Sequence, residues 1–527
     1  MSTQPTTVQD LKKLANNTGA QWWRDRSLRK LNCFIAVIWL AQVVSGFDGS
    51  LLGSLIAMAS FKRDMGHPNS ARVGVLQGMS HAGSLFGGWP GSFIADRWGR
   101  KWAMAFGCCI EIVGVIISTA GTNFNCFIAG RFFLGLGLNV TLSIGPSWAS
   151  ELAHPRQRGV ISSCYNVLWY VGAILAAWIS FGTAHLTNTW AWRIPSIIQA
   201  APPFIILCFI FWLPESPRFL LHKDRTNEAR IMLARLHANG NIQDELVEFE
   251  VTEISMTLRM EAEANAKGWN VLWSTRANLK RTLIACSLPL ITNWCGQSVI
   301  SYYYSVVLTQ VGITTTTQQT GINGGLQIFN FLCSISGIFM AERFGRRTMW
   351  LLSFGLMIIC NVLMIILSSV YAEGISSDAG YGVVVVLFLY DASFNIACNP
   401  LLYCYMVEIL PYYMRTKASA VAVTFSALLL TFNAFVNSIA LNAIGWKYYF
   451  VYLGLLFCWF ALIYFFFPET KGLVLEDIAV QFEGDRAATV KAGINPDIFI
   501  GTHAPLEEEK EQKDPSKAIT TATTIAV

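Results

Sequence analysis

The chain has 527 residues, of which 53% are hydrophobic and only 13% charged, and its net charge is +5. A composition this apolar excludes an ordinary soluble globular protein, and so small a surplus of cations, lying largely in loops, excludes a nucleic-acid binder. The thirteen cysteines include Cys33, Cys108, Cys109, Cys286 and Cys458 in apolar runs and form no CxxC pair or metal spacing, so they read as packing residues and no metal or cofactor is expected.

In chain order, residues 1–32 are polar and basic and form an expected cytoplasmic tail. The first apolar run has no small-residue cleavage site behind it, so it is expected to insert and stay. A bilayer takes about 20 mostly apolar residues per helix. Suitable stretches lie at 34–56, 73–95, 102–120, 124–149, 159–183, 195–213, 281–308, 320–341, 348–371, 380–407, 416–443 and 447–467. They predict an all-α membrane protein with twelve spans, arranged as a six-helix bundle over 33–213 and a second over 281–467. Between them, 214–280 is polar. Thr226 reads there as an N-cap, Ala229, Met232, Leu233 and Leu236 recur at helical spacing and Gly240 reads as a stop, so short amphipathic helices are expected under the bundle. The tail over 468–527 is expected to be cytoplasmic, and disordered from about 484.

Lys12, Lys13, Arg24, Arg26, Arg29 and Lys30 precede the first span, Arg97, Arg100 and Lys101 follow the second, and Arg343, Arg346 and Arg347 follow the eighth. The connections at 121–125, 311–319 and 372–380 carry no Lys or Arg, which places both termini in the cytoplasm. Lys62, Arg63 and Arg72 run against that trend. The halves also repeat their punctuation at an offset of about 250 residues, the trace of duplication in secondary transporters. DRWGRK (96–101) is matched by ERFGRR (342–347). Glu151 stands seven residues before Arg158 as Glu408 does before Arg415, and PESPR (214–218) is matched by PETKG (468–472).

From Cys33 to Asp477, GFDGS, DRWGRK, GRFFLGLG, ELAHPRQRG, PESPR, ERFGRR, EILPYYMRTKA and PETKG resemble the sugar porter branch of the major facilitator superfamily. INGGLQIFNF and FNAFVNSIALNAIGWKYY are most similar to fungal lactose-permease and cellodextrin-transporter relatives. The resemblance implies a major facilitator fold in a cell membrane. Asp96, Arg97, Arg100, Glu151 and Arg158 in one half, and Glu342, Arg343, Glu408 and Arg415 in the other, are expected to gate the cytoplasmic side. The competing reading is that the cations only set topology, which leaves the matched acids unexplained.

A charge at the bilayer centre costs about 2.5–3.5 kcal/mol on insertion scales, so Asp48 in the first span needs a partner or a cavity. Arg131, at the start of the fourth span, is the nearest expected partner. In proton-coupled relatives the matching residues form the coupling pair; a permanent salt bridge between helices is the alternative. Glu111 is also intramembrane, with an interhelical hydrogen bond or a snorkelling side chain weighed against a functional role, and Asp391 is similarly placed, with contact to substrate or proton as its functional reading.

The resemblance places substrate contacts at Asn166, where many hexose porters have glutamine, and at Thr292 and Asn293, where they have two glutamines. It adds Gln297 and Ser298 beside the usual asparagine, Asn330, Tyr403 in place of a common tryptophan, and Asn433. These residues keep the polar character but change the shapes, which points from a strict hexose site toward a larger glycoside or related polyol. The expected function is proton-coupled transport of a mono- or disaccharide, with protons and the lipid bilayer as the other partners. The alternatives are facilitative uniport, a non-transporting sugar sensor, and export of a fungal secondary metabolite. Nothing resembles a nucleotide-binding loop or a nucleophile–base pair, so enzyme activity is not expected.

Overall fold

The computed structural model describes residues 18–19, 21–266, 268–376, 378–471 and 481–482; the expected disorder of the tail lies outside them. The first half comprises α1 (Arg26–Ala57), α2 (Ala59–Asp64), α3 (Ser70–Arg97), α4 (Arg100–Ala120), α5 (Phe124–Leu152), α6 (Arg158–Thr183), α7 (Trp190–Ile198) and α8 (Ala201–Phe209). Next come α9 (Pro217–His222), α10 (Thr226–His237) and α11 (Glu245–Ala266). The second half comprises α12 (Arg276–Asn293), α13 (Gln297–Gln310), α14 (Thr316–Phe344), α15 (Arg346–Ala372), α16 (Ala379–Ile409), α17 (Tyr412–Ile444) and α18 (Tyr449–Phe466).

Each of the twelve expected apolar stretches falls on helix. Among the described residues nine helical segments are long and apolar enough to cross a membrane, and one of them, Tyr413–Phe466, carries two of the expected spans. Helices α3 and α14 fall outside that set because they spend their length on Gln77, Ser80, His81 and Ser84, and on Asn323, Gln327 and Asn330. Such polar faces are tolerable only where a helix is turned away from lipid.

Two expected spans are discontinuous. The sixth breaks between α7 and α8, ahead of Pro202 and Pro203. The seventh breaks after Asn293, and Gly296 resumes it at φ 97, a left-handed value that favours glycine. The second fragment, α13, is bent again at Tyr303, with φ −120 and ψ 18. Interrupted helices leave backbone groups open for ligands or neighbouring side chains, which is why transporters place them beside their sites.

Lipid supplies no hydrophobic drive between helices, so the bundle relies on close approach through small residues. A Cβ at Gly172 of α6 would lie 1.9 Å from the Val43 carbonyl oxygen of α1, and one at Gly135 of α5 would lie 1.8 Å from that of Ser80 on α3. Gly172→Ala must therefore push α6 off α1, at a cost of about 1–3 kcal/mol. Its expected result is a melting temperature several degrees lower in detergent, whereas Gly182→Ala on the same helix, with nothing within 4 Å, melts as the parent does.

The polar segment folds as short helices. Thr226 is the first helical residue of α10 rather than its cap, which is Arg225, and Gly240 closes the helix by donating its N–H to the Ala234 carbonyl at 2.8 Å. His237 ties α10 to the bundle: Nδ1 lies 2.7 Å from Glu250 and Nε2 lies 3.0 Å from the Leu152 carbonyl at the end of α5. Burial opposes the imidazolium, but Glu250 and that carbonyl hold the His237 pKa above the ordinary range.

Candidate functional site

Asp48 and Arg131 meet between α1 and α5. Two guanidinium nitrogens reach the two carboxylate oxygens, one through a short contact from Nη1 and one at 3.2 Å from Nη2. Both residues are buried, at 7% and 5% exposure. Two neutral donors complete the carboxylate's shell: Ser80 Oγ at 3.3 Å from α3, and Gln199 Nε2 at 2.7 Å from the break between α7 and α8. Arg131 Nε has no hydrogen-bond partner among the described residues. Gln199 was not anticipated; its signal is that it is the one amide side chain in the sixth stretch.

Next to Ser80 on α3, the His81 ring lies 5.8 Å from that of Tyr302 on α13, and Gln77 donates to the Tyr302 carbonyl at 2.9 Å. That carbonyl belongs to the bend at Tyr303. The helix that serves Asp48 therefore also holds the second half. Further bonds join the halves at the end of the bundle away from the basic turns. Tyr304 donates to Ser54 at 3.0 Å, Asn323 to Ser50 and Ser54 at 3.2 Å each, and Ser438 to the Ser70 carbonyl at 2.6 Å. At the basic end, α3, α5 and α17 instead bound a crevice of about 430 Å³ lined by Ser84, Asn139, Ser143 and Thr424.

A second polar centre surrounds Asp391 on α16, which is fully buried. Its oxygens accept Gln297 Nε2 at 3.1 Å and Asn330 Nδ2 at 2.6 Å, from α13 and α14. One turn on, Asn395 accepts a short hydrogen bond from Tyr170 of α6, and Asn399 donates to Tyr170 at 3.5 Å and to Ser334 at 3.4 Å. The network spans both halves. Asn166, one turn from Tyr170 on α6, is half-buried and has no hydrogen-bond partner among the described residues.

The other expected substrate residues divide. Asn433 donates to Ser298 Oγ at 2.7 Å and to the Asn293 carbonyl at 2.6 Å, and Asn293 donates to Ser426 at 2.9 Å. Asn433 and Ser298 thus brace the break in the seventh span. Thr292 donates to the Leu288 carbonyl of its own helix at 2.9 Å. Tyr403 lies twelve residues beyond Asp391 on α16, about 18 Å at 1.5 Å per residue, with 51% of its surface exposed. Glu111 accepts Thr141 Oγ1 at 2.6 Å between α4 and α5, which is the interhelical bond weighed for it.

At the basic end the two halves build the same cluster twice. Arg100 Nε lies 3.5 Å from Glu151, which also accepts the Ser216 hydroxyl, and Glu215 accepts the backbone N–H of Arg100 at 2.9 Å. In the second half Arg346 lies 3.0 Å from Glu408, which accepts the Thr470 hydroxyl at 2.5 Å, and Glu469 accepts the backbone N–H of Arg346 at 2.8 Å. Gly99 and Gly345 turn at φ 104 and 94 directly beneath Glu215 and Glu469. These two acids were missed as site residues, although PESPR and PETKG were the signal.

Several expected gate residues stand elsewhere. Arg97 and Arg343 have exposed side chains without an ion pair among the described residues, because the helix turn directs Arg100 and Arg346 to the carboxylates instead. Asp96, with 78% of its side chain exposed, lies 3.7 Å from Arg100, a weak exposed pair. Arg158 lines a small cavity with Glu151, Arg218 and Glu253, and Arg415 donates to the Leu410 carbonyl at 3.2 Å. The side chain of Glu342 lies outside the described residues.

The model of a family described as "Sugar (and other) transporter" matches residues 33–482. An MFS-type transporter, criB, of Aspergillus cristatus is 25% identical over 458 residues, covering 86% of this chain and 93% of the relative. A low-affinity glucose transporter of Kluyveromyces lactis is 26% identical over 490 residues, covering 89% and 85%. Among solved structures, the inward-open xylose transporter XylE of E. coli superposes with a TM-score of 0.69 at 20% identity, covering 86% of this chain and 99% of that one.

Proposed function

Because the chain belongs to the sugar transporter family, we propose that it imports a mono- or disaccharide together with a proton by alternating access across a fungal cell membrane. In this reading both termini and the basic end of the bundle face the cytoplasm, which the distribution of Lys and Arg supports. The arrangement described then corresponds to a protein closed outside and open inside. The observation that supports proton coupling is the Asp48–Arg131 pair, a buried carboxylate that accepts from Ser80 on the helix whose Gln77 and His81 also meet Tyr302 of α13. Arg131 meets the carboxylate with two of its guanidinium nitrogens. A proton arriving at Asp48 removes the charge that holds the guanidinium, and α1, α3 and α5 are freed to shift against the second half.

The sugar is assigned to the polar network that joins the halves, with Asn166 and Tyr170 on one side and Gln297, Asn330 and Asp391 on the other. Amides, a phenol and a carboxylate match a ligand rich in hydroxyls. Uptake of a panel of radiolabelled mono- and disaccharides by yeast lacking its own sugar carriers, with the pH of the medium recorded, tests the reading. Saturable uptake of at least one sugar with alkalinisation is expected. Uptake without alkalinisation leaves facilitated diffusion, and no uptake of any sugar overturns the assignment.

The paired clusters at the basic end are proposed to set the cost of opening and closing. Arg100→Ala and Arg346→Ala remove the cation that Glu151 and Glu408 face, and each is expected to slow uptake about fivefold, the rate equivalent of about 1 kcal/mol. Arg97→Ala and Arg343→Ala should stay within about twofold. Initial rates normalised to protein in the membrane decide this; equal loss in all four variants would reduce the clusters to topology signals.

A further inference from the structure

A groove of about 520 Å³ lies outside the transport path, where α1, α4 and α8 leave the membrane and α10 runs beneath them. Its volume is in the range of small-molecule sites. Two acids line it and both are occupied: Glu228 is held by two nitrogens of Arg225, at 2.8 and 2.6 Å, and Glu215 accepts the backbone N–H groups of Arg100 and Lys101. Three lining cations remain without a carboxylate among the described residues. Lys30 lies over the Phe34 ring at 5.6 Å, Lys101 donates only to the Phe211 carbonyl at 3.1 Å, and Arg235 is exposed on α10. The walls are aromatic: Trp98, Trp102 and Trp212 are 55%, 52% and 68% exposed.

Indole rings at the level where spans leave the bilayer are those of the headgroup belt. Uncompensated cations there, on the side that carries the basic loops, face the leaflet that is rich in anionic lipid. We propose that this groove binds a phospholipid with an anionic headgroup of the phosphatidylserine type. Lys30, Lys101 and Arg235 take the phosphate and carboxylate, the three tryptophans flank the glycerol region, and the acyl chains lie along α4 and α8. The site is independent of the transported substrate. It ties α10, which His237 fastens to the end of α5, to the lipid surface.

The test uses the full-length protein in phosphatidylcholine nanodiscs doped with lipid carrying brominated acyl chains, which quench nearby tryptophan fluorescence. At equal mole fraction, brominated phosphatidylserine is expected to quench at least about fivefold more strongly per lipid than brominated phosphatidylcholine, the affinity gain that a single cation near an anionic surface supplies. The excess should disappear in Trp102→Phe/Trp212→Phe and in Lys30→Glu/Arg235→Glu. Arg235→Gln alone, at an exposed position, should reduce it and serves if the double variants fail to fold. Equal quenching by both lipids, an excess that survives Arg235→Gln unchanged, or full displacement by millimolar glycerol phosphate, which would mark a site for free phosphate, each overturns the proposal.

Discussion

Asp48→Asn is expected to turn a concentrating transporter into one that only equilibrates its sugar. The amide keeps the size of the acid and much of its hydrogen bonding: it can still accept from Ser80 or Gln199, and it resembles the protonated carboxyl of the proposed cycle. It cannot titrate. One proton crossing 100 mV releases about 2.3 kcal/mol, worth about fifty-fold accumulation, and that factor should vanish while exchange of labelled for unlabelled sugar persists. Arg131→Ala differs in kind, because it leaves a buried carboxylate without its cation, a loss of about 3–5 kcal/mol in comparable buried pairs, and folded protein should fall before transport can be measured. Accumulation ratio, counterflow rate and substrate-induced alkalinisation in the same cells separate these outcomes. A fully concentrative Asp48→Asn protein would leave the pair a structural salt bridge.

How far the site was legible depended on what kind of signal each residue leaves. Charges in apolar runs are conspicuous, so Asp48 and Arg131 stand out as partners in the sequence itself. The duplicated motifs likewise exposed the two clusters at the basic end. What a linear motif does not carry is the angular position of a residue on its helix. Arg97 and Arg100 sit three residues apart in one motif, yet the turn at Gly99 sends only Arg100 to Glu151.

The breaks were hidden for a different cause. A 28-residue run such as 281–308 is apolar enough throughout to read as one span, and hydropathy does not register that Gly296 adopts a left-handed φ. Once that break exists, Asn433 and Ser298 are needed to hold it, and their hydrogen bonds are used on helix contacts. In the proposed site Asp391 takes the central position.

Asp391→Asn should therefore damage recognition rather than coupling. Both oxygens of the acid accept amide N–H groups, from Gln297 and Asn330. A carboxylate accepts from both at once, so it fixes both amides with nitrogens toward itself and carbonyl oxygens away. Asn330 Oδ1 then has no partner among the described residues, which suits an acceptor held ready for a hydroxyl. An asparagine at 391 places its own NH2 against one of these amides and forces it to flip, exchanging an unpaired acceptor for a donor. A wrongly paired buried polar group costs about 1–3 kcal/mol, so KM should rise about fivefold to 150-fold while the maximal rate and the alkalinisation per sugar stay near the parent values. Deoxygenated sugar analogues give a finer reading: the analogue lacking the hydroxyl that meets Asn330 should lose less in Asp391→Asn than in the parent. The opposite pattern, an unchanged KM with alkalinisation abolished, would move the proton carrier from Asp48 to Asp391 and reassign the first pair to holding α1 against α5.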